Sequence, residues 1–427
     1  MEIAALYELY LRHPSVQTDT RRLRAGDIFF ALKGASFDGN AFARQALDNG
    51  AAYAVVDDPA ACAGDARCIL VPDVLTTLQE LALFHRRQLR IPFIAITGSN
   101  GKTTTKELVS AVLWAQHVTY TTAGNLNNHI GVPLTILGIR GDAELAVIEM
   151  GANHLNEIAG YCRIALPTHG IITNCGKAHI EGFGSEEGVR KGKGELYDFI
   201  RGHDGVIFRN ADLDYLREMA HGISRQVTYG AADAQYTGRP FMQDVFLHVA
   251  LTSPVPMKIA TQLVGDYNFA NVMTAVAVGM HFGVPPEKIK AAIEAYTPDN
   301  SRSQWLQRGS NQVILDAYNA NPSSMAAAIR NFAQAPPARK ILWLGAMKEL
   351  GDATAREHEA LVQLIRQYTW EAVILVGKEF GSAGGDMLRF DDSAAAASFV
   401  RAHRPEHAAI LIKGSRGSRM ELMLEVL

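Results

Sequence analysis

The chain has little of what would fit it for a specialised environment. Only four of its 427 residues are cysteine, Cys62, Cys68, Cys162 and Cys175. None stands in C-x-x-C spacing, which argues against a zinc knuckle or a thiol redox motif. Scattered thiols of this kind are expected to be buried and reduced. Charge of one sign is lacking too: 41 Lys and Arg against 44 Asp and Glu leave a net −3. No global field draws the chain to nucleic acid or to an anionic membrane, and any positive potential is local. No apolar run is long enough to cross a bilayer. The opening Met1-Glu2-Ile3-Ala4-Ala5-Leu6-Tyr7-Glu8 carries acids where a secretory leader needs bases, so a cytoplasmic chain is expected. Repeats are lacking, and the one low-complexity tract, Ala394–Ala397, is most simply helix.

What is present is ordinary globular material, 48% hydrophobic and 20% charged. At roughly 150 residues per domain the length predicts about three domains. Residues 1–90 alternate short strands (Asp27–Lys33, Ala52–Asp57) with helices (Ala41–Asn49, Val74–Leu89). Pro92 marks a boundary, since it breaks the preceding helix. Across 91–298, strands at Ala146–Glu149, Gly170–Asn174 and Gly205–Arg209 and a helix at Glu186–Phe199 predict a mainly parallel sheet covered on both faces. Phe246–Val264 reads as two strands of an antiparallel annex, followed by helices Asn271–Phe282 and Glu287–Tyr296. Thr297-Pro298-Asp299-Asn300-Ser301 is a second linker. Residues 299–427 then place strands Val313–Ala317, Lys340–Leu344, Ala372–Val376 and Ala409–Ile412 among helices (Ser323–Phe332, Thr354–Tyr368), a doubly wound pattern.

The most informative segment is Phe93-Ile94-Ala95-Ile96-Thr97, a strand, followed by Gly98-Ser99-Asn100-Gly101-Lys102-Thr103-Thr104 and a helix from Lys106. Strand, glycine turn and helix N-terminus together cradle an anion. Lys102, a solvated side chain, would reach the outer phosphates of a nucleoside triphosphate, and the Thr103 hydroxyl would ligate Mg²⁺. Ile96 stands where the general phosphate-loop pattern has its first glycine, so this is a shorter variant.

Other residues are more ambiguous. Glu149 ends an apolar strand, where nucleotide enzymes place a direct or indirect Mg²⁺ ligand. Gly124-Asn125-Leu126-Asn127-Asn128-His129-Ile130-Gly131-Val132-Pro133 is either an Asn-rich turn or a substrate cradle. His179 could be a metal ligand or a simple hydrogen bonder. Lys191 and Lys193 suit a solvated helix face and, two residues apart, cannot both point at one site. Asp316, in Asp316-Ala317-Tyr318-Asn319-Ala320-Asn321-Pro322, closes the first strand of the third domain and would suit a ribose hydroxyl or a metal. Pro322 starts a helix.

In order, and over the full length, these segments resemble the Mur ligases, the ATP-dependent amide-bond enzymes of peptidoglycan precursor synthesis. Thr97–Thr104 resembles the ligase phosphate loop, which tolerates the missing glycine. Gly124–Pro133 resembles the family's GNxNNxIGxP loop, and Asp316–Met325 its DxYNANPxSM segment. These two are the more specific and lie closest to the dipeptide-adding branch. Thr18-Asp19-Thr20-Arg21, Gly26–Gly34 and Phe37-Asp38-Gly39 are similar to the UDP-sugar-binding amino-terminal domain, and Lys413-Gly414-Ser415-Arg416 to the last strand and turn.

The resemblance implies an α/β protein of three domains: a small α/β UDP-sugar-binding domain (1–90), a central P-loop parallel-sheet ATPase domain (91–298) and a C-terminal Rossmann-like doubly wound domain (299–427). It implies ATP-dependent addition of D-Ala-D-Ala to UDP-MurNAc-tripeptide through an acyl phosphate, by a monomer that binds neither nucleic acid nor membrane. ATP would contact Gly98, Ser99, Asn100, Gly101, Lys102, Thr103 and Thr104, with Asn268 and Asn271 beside the adenine, Arg302 at the phosphates and Asp316 at the ribose. Thr103, Glu149 and His179 would hold Mg²⁺, and Lys193, carbamylated by CO₂, a second ion. Lys102, Glu149, His179 and Lys193 would be the catalytic set. Thr20, Arg21, Lys33, Gly34, Phe37, Asp38, Asn125, Asn127, Asn128, Tyr318, Asn319 and Asn321 would line the substrates. The chain departs from the family at Leu315, where an Asp commonly precedes Asp316, and at Ala346, in a common Gly-Asp-Met. Lys191 is also a rival to Lys193. Another Mur-type amino-acid ligase, a folylpolyglutamate synthase-like enzyme and a nucleotide-gated binding protein are the alternatives. Hinges are expected near Pro92 and Pro298.

Overall fold

The strand Phe93–Thr97 is buried along its whole length and runs parallel to both neighbours, Leu145–Glu149 and His169–Ile172. Phe93 and Ala95 enter one apolar core, while Ile94 and Ile96 enter another on the opposite face. Alternate side chains point to opposite faces of a strand, so covering both faces makes the whole run apolar. Each buried Ile contributes about 1.5–3 kcal/mol. Helices Glu157–Ala165 and Glu186–Gly202 cover the first face, and helices Lys102–Trp114 and Phe269–His281 the second. The computed structural model describes residues 1–61, 64–336 and 339–427.

This central sheet has nine strands, more than the sequence disclosed. The strands Arg225–Gly230 and Tyr236–Gln243 were not expected, and the edge strand Thr119–Thr121 was also missed. The stretch expected as two strands of an antiparallel annex forms them and is continuous with the sheet: Tyr236–Gln243, Phe246–Ser253 and Met257–Val264 pair antiparallel and join it through Arg225–Gly230. Along Phe246–Val249 burial alternates, the signature of a sheet covered on one face only.

Before it, a four-stranded parallel sheet carries Val16–Gln17, Ile28–Phe30, Tyr53–Val56 and Cys68–Leu70. The strand expected at Asp27–Lys33 is split, and Lys33–Gly34 turns instead into a small hairpin with Phe37–Asp38. Helix Val74–Gln88 is capped by Asp73, whose carboxylate accepts from Thr76 N at 2.7 Å. Its Leu78 and Leu81 share a core with Val132 and Ile136 of the central unit. Arg86 fastens the same junction, donating to Ala165 O at 2.7 Å and lying 3.7 Å over the Phe93 ring.

The last sheet has six strands. Five are parallel, and Gln304–Arg308 runs antiparallel to Asn311–Asp316 at the edge. Asp316 therefore closes the second strand of this unit, not the first. Gln304–Arg308 escapes a pattern search because none of its five residues is fully buried. Helices Pro322–Gln334 and Thr354–Ile365 pack on one face, and Ser393–Ala402 with the C-terminal turns on the other. Cys162 and Cys175 are free and buried. Cys68 departs from the expected reduced thiol: it is disulfide-bonded, at the half-exposed start of an edge strand. Cys62 lies outside the described residues.

Candidate functional site

A cleft of about 730 Å³ opens where the carboxyl ends of the central strands face the six-stranded unit, the usual ligand position in such sheets. The phosphate loop forms its floor. Gly98 has φ +143°, and a Cβ there would stand 2.0 Å from Thr173 Oγ1, so only glycine fits. The segment 173–176 straps the loop down. Ser99 N donates to Asn174 O at 2.9 Å, Ser99 Oγ to Gly176 O at 2.8 Å, and Thr173 Oγ1 to Asn100 O at 2.6 Å. Asn174 Oδ1 also accepts from Asn100 N at 3.0 Å. Helix Lys102–Trp114 starts with no side-chain cap, leaving first-turn N–H groups for an anion.

Lys102 is not the solvated side chain expected from the sequence. It is half-buried and its Nζ donates to Gly98 O at 2.6 Å, folded back on its own loop. Desolvation lowers its amine to about 8.

Glu149 is 1% exposed. Its Oε1 accepts from Thr103 Oγ1 at 3.1 Å and Asn127 Nδ2 at 2.7 Å, while Oε2 is buried without a partner. An orphaned buried carboxylate oxygen is costly unless a cation meets it. Beside a phosphate loop, Glu149 and the Thr103 hydroxyl fit Mg²⁺, which keeps phosphate oxygens and waters as its other ligands. Among the described residues no three His, Cys, Asp or Glu converge on one point, so an all-protein metal cage is not built here. His179 also lines the cleft, and its Nδ1 stands 2.5 Å from Glu349 Oε2, an ion-pair approach with no well-aligned hydrogen bond.

The two rival lysines separate by packing. Lys191 is exposed, whereas Lys193 is 0% exposed and donates to Ala152 O at 2.9 Å, with its ammonium 5.0 Å from the Phe183 ring centre. Desolvation, with Lys102 as a lesser cause, lowers the Lys193 amine to about 7.

The remaining predicted groups divide. Asn268 and Asn271 form a buried chain with Thr105: Thr105 Oγ1 donates to Asn271 Oδ1 at 3.0 Å, and Asn271 Nδ2 to Asn268 Oδ1 at 2.8 Å. Arg302 stacks 3.8 Å over Tyr318, and both line the cleft with Asn319. Asp316 Oδ2 already accepts from buried Lys413 Nζ at 2.6 Å. Asn321 caps helix Pro322–Gln334 and donates to Asn100 Oδ1 at 2.8 Å. Asn128 borders the cleft, but its Oδ1 is taken up by the turn that leads into the next helix, accepting from Gly131 N at 2.8 Å, and exposed Asn125 does not reach the cleft wall. Thr20, Arg21, Lys33, Gly34, Phe37 and Asp38 do not line this cleft either. They sit on the first unit, where Arg21 forks onto Asp19 and Lys33 pairs with Asp57 at 2.8 Å.

Sequence reasoning missed Asn174, Glu157, Tyr161, Ser323 and Glu349. Asn174 ends a predicted strand beside the loop and so carried a positional signal, while Glu349 stands in the Glu349-Leu350-Gly351 segment that the family resemblance expects, with no role assigned to it.

Comparison with known proteins agrees with this arrangement. The chain matches the Mur ligase family catalytic domain over residues 14–92, the Mur ligase middle domain over 96–279 and the Mur ligase glutamate ligase domain over 301–416. It is 35% identical over 425 residues to the UDP-N-acetylmuramoyl-tripeptide–D-alanyl-D-alanine ligase of Escherichia coli, covering 97% of this chain and 93% of the relative. A crystal structure of MurF from Acinetobacter baumannii superposes with a TM-score of 0.88 at 31% identity, covering 96% of this chain and 93% of that one. MurF ligase from Thermotoga maritima, solved in complex with ADP, superposes with a TM-score of 0.86 at 25% identity, covering 97% of each chain. Matched by three Mur ligase domain models and by near-full-length relatives at about a third identity, this chain belongs to the Mur ligase family.

Proposed function

We propose that the chain is an ATP-dependent carbon–nitrogen ligase that joins D-alanyl-D-alanine to UDP-N-acetylmuramoyl-tripeptide, completing a peptidoglycan precursor. One observation carries the chemistry: an uncapped phosphate-loop helix and a buried orphan carboxylate share one cleft, Lys193 lies buried behind its Ala152 wall, and Asn321 of the six-stranded unit reaches across to the loop. The names of the near-full-length relatives carry the choice of substrates.

The carboxylate of the tripeptide attacks the γ-phosphorus of ATP, ADP leaves, and an acyl phosphate forms. The dipeptide amine then attacks the acyl carbon, loses a proton, and expels inorganic phosphate. Lys102 swings from the Gly98 carbonyl to the transferred phosphoryl group, and the loop N–H groups stabilise its equatorial charge. Mg²⁺, when bound, neutralises phosphate charge beside Glu149, Thr103 and His179. Lys193, whose lowered amine is neutral for part of the time, adds CO₂ with loss of a proton to give an anionic carbamate fit for a second ion. Asn268 and Asn271 hold the adenine side, Asp316 the ribose and Arg302 the phosphates.

We assign residues 1–90 to the UDP-sugar, with Thr20, Arg21, Lys33, Gly34, Phe37 and Asp38 at its contact surface, 91–298 to ATP, and 299–427 to closure. Asn127, Asn128, Tyr318, Asn319 and Asn321, which line the cleft, face the peptide partners. Among the described residues no helix is long and apolar enough to cross a membrane, and the assignment is to a cytoplasmic monomer hinged near Pro92 and Pro298.

The test is phosphate release from ATP and UDP-MurNAc-tripeptide with one amine at a time. D-Ala-D-Ala should release phosphate strongly, and D-Ala, L-Glu or diaminopimelate little. A site built to pair the dipeptide's amide and carboxylate discriminates by up to about 10⁴-fold. A single amino acid matching the dipeptide in kcat/KM would overturn the substrate assignment and leave the ligase chemistry standing.

A further inference from the structure

We infer that Glu349 is a positioning residue: the six-stranded unit uses it to set the His179 imidazole, so that docking of this unit completes the cation pocket at Glu149. The inference rests on the proposed metal role of His179 and adds where its orientation comes from.

Glu349 Oε2 lies 2.5 Å from His179 Nδ1, across a boundary between two sheets. Both residues hold left-handed backbone, with φ of 62° for Glu349 and 52° for His179. Neither is glycine, so surrounding contacts must hold each of them there. Those contacts are present and mutual. Glu349 O accepts from Glu181 N at 3.5 Å, and Gly351 packs on Glu181, where an added Cβ would stand 3.4 Å from Glu181 Cγ. Imidazole has two ring nitrogens. With Nδ1 held 2.5 Å from a carboxylate oxygen, Nε2 is the one left for a ligand. A carboxylate behind a metal-binding histidine typically changes metal affinity ten- to a hundred-fold. Glu349 differs from Lys177, which also bridges the units through Glu357 at 3.4 Å but does not touch His179 in any contact given by the structure.

The test uses the full chain with a non-hydrolysable ATP analogue and Mn²⁺, followed by electron paramagnetic resonance, with no tripeptide or amine present. Glu349→Ala should weaken Mn²⁺ binding about ten-fold. Glu349→Gln, which keeps an acceptor oxygen, should recover most of it. His179→Ala should lose as much, and the double variant Glu349→Ala/His179→Ala no more than either single one. Lys177→Met should bind Mn²⁺ as the unmodified chain does. Unchanged Mn²⁺ affinity in Glu349→Ala, additive losses in the double variant, or an equal loss in Lys177→Met would each overturn the positioning role. No Mn²⁺ binding by the unmodified chain would instead remove the metal reading beneath it.

Discussion

Asn321 Nδ2 donates to Asn100 Oδ1 at 2.8 Å, joining a helix start in the last sheet to the phosphate loop 221 positions earlier. The same asparagine accepts from Ser324 N at 2.9 Å and so caps its own helix. One side chain thus performs a local task and a remote one, and the two can be separated by substitution.

Asn321→Ser keeps a good capping group but is too short to reach Asn100. Its melting temperature should stay close to that of the unmodified chain. The KM for ATP should rise several-fold, up to about ten-fold, as the loss of one hydrogen bond allows. Unchanged kinetics would show that the bridge has no part in nucleotide binding.

Lys102→Ala should remain folded, because the amine's bonds to loop carbonyls are replaceable by water. Ligation should fall by on the order of a hundred-fold or more, the usual cost of removing one preorganised charge contact. Turnover near that of the unmodified chain, with circular dichroism confirming the fold, would sink the phosphate-loop assignment.

Lys193→Ala should be nearly inactive and partly rescued by small carboxylic acids, which return an anionic oxygen to the site. Lys191→Ala should keep most activity, since its side chain stands in solvent. The measurement is phosphate release with and without added acetate, and the reverse pattern would mean that the packing difference carries no chemistry.

His169 gives a pH signature unrelated to catalysis. It is buried against Phe208, His281 and Phe282, and desolvation lowers its imidazole to about 3. Folded protein then binds fewer protons than unfolded chain between about pH 6.5 and 3, so stability is present above that window and lost as pH falls through it. The slope from this group is at most about 1.4 kcal/mol per pH unit. His169→Gln should narrow the difference in Tm between pH 7 and pH 5. An unaltered difference would show that other groups carry the acid sensitivity.

Much of this was legible because burial writes itself into a sequence. Phe93–Thr97 and Ala372–Val376 are apolar runs, and the glycines of 98–101 can be read as a loop before any fold is known. The choice between Lys191 and Lys193 was not legible, because neighbours on one helix differ only in what packs over them. Gln304–Arg308 was invisible because an edge strand with no fully buried residue shows no apolar run. Glu349 meets His179 only through the docking of two sheets, and no periodicity within either segment records that.

A lysine sealed in a core, bonded to a lone carbonyl and facing a phenyl ring, is a residue that selection for robustness alone would discard. Methionine or leucine at position 193 would fill the space without a desolvated amine, and heat-challenged libraries should enrich them. Survivors of such a screen would be sturdier and inert. Thermal tolerance and turnover therefore rank the residues at this one position in opposite orders, and a campaign to harden the protein would have to hold Lys193 fixed.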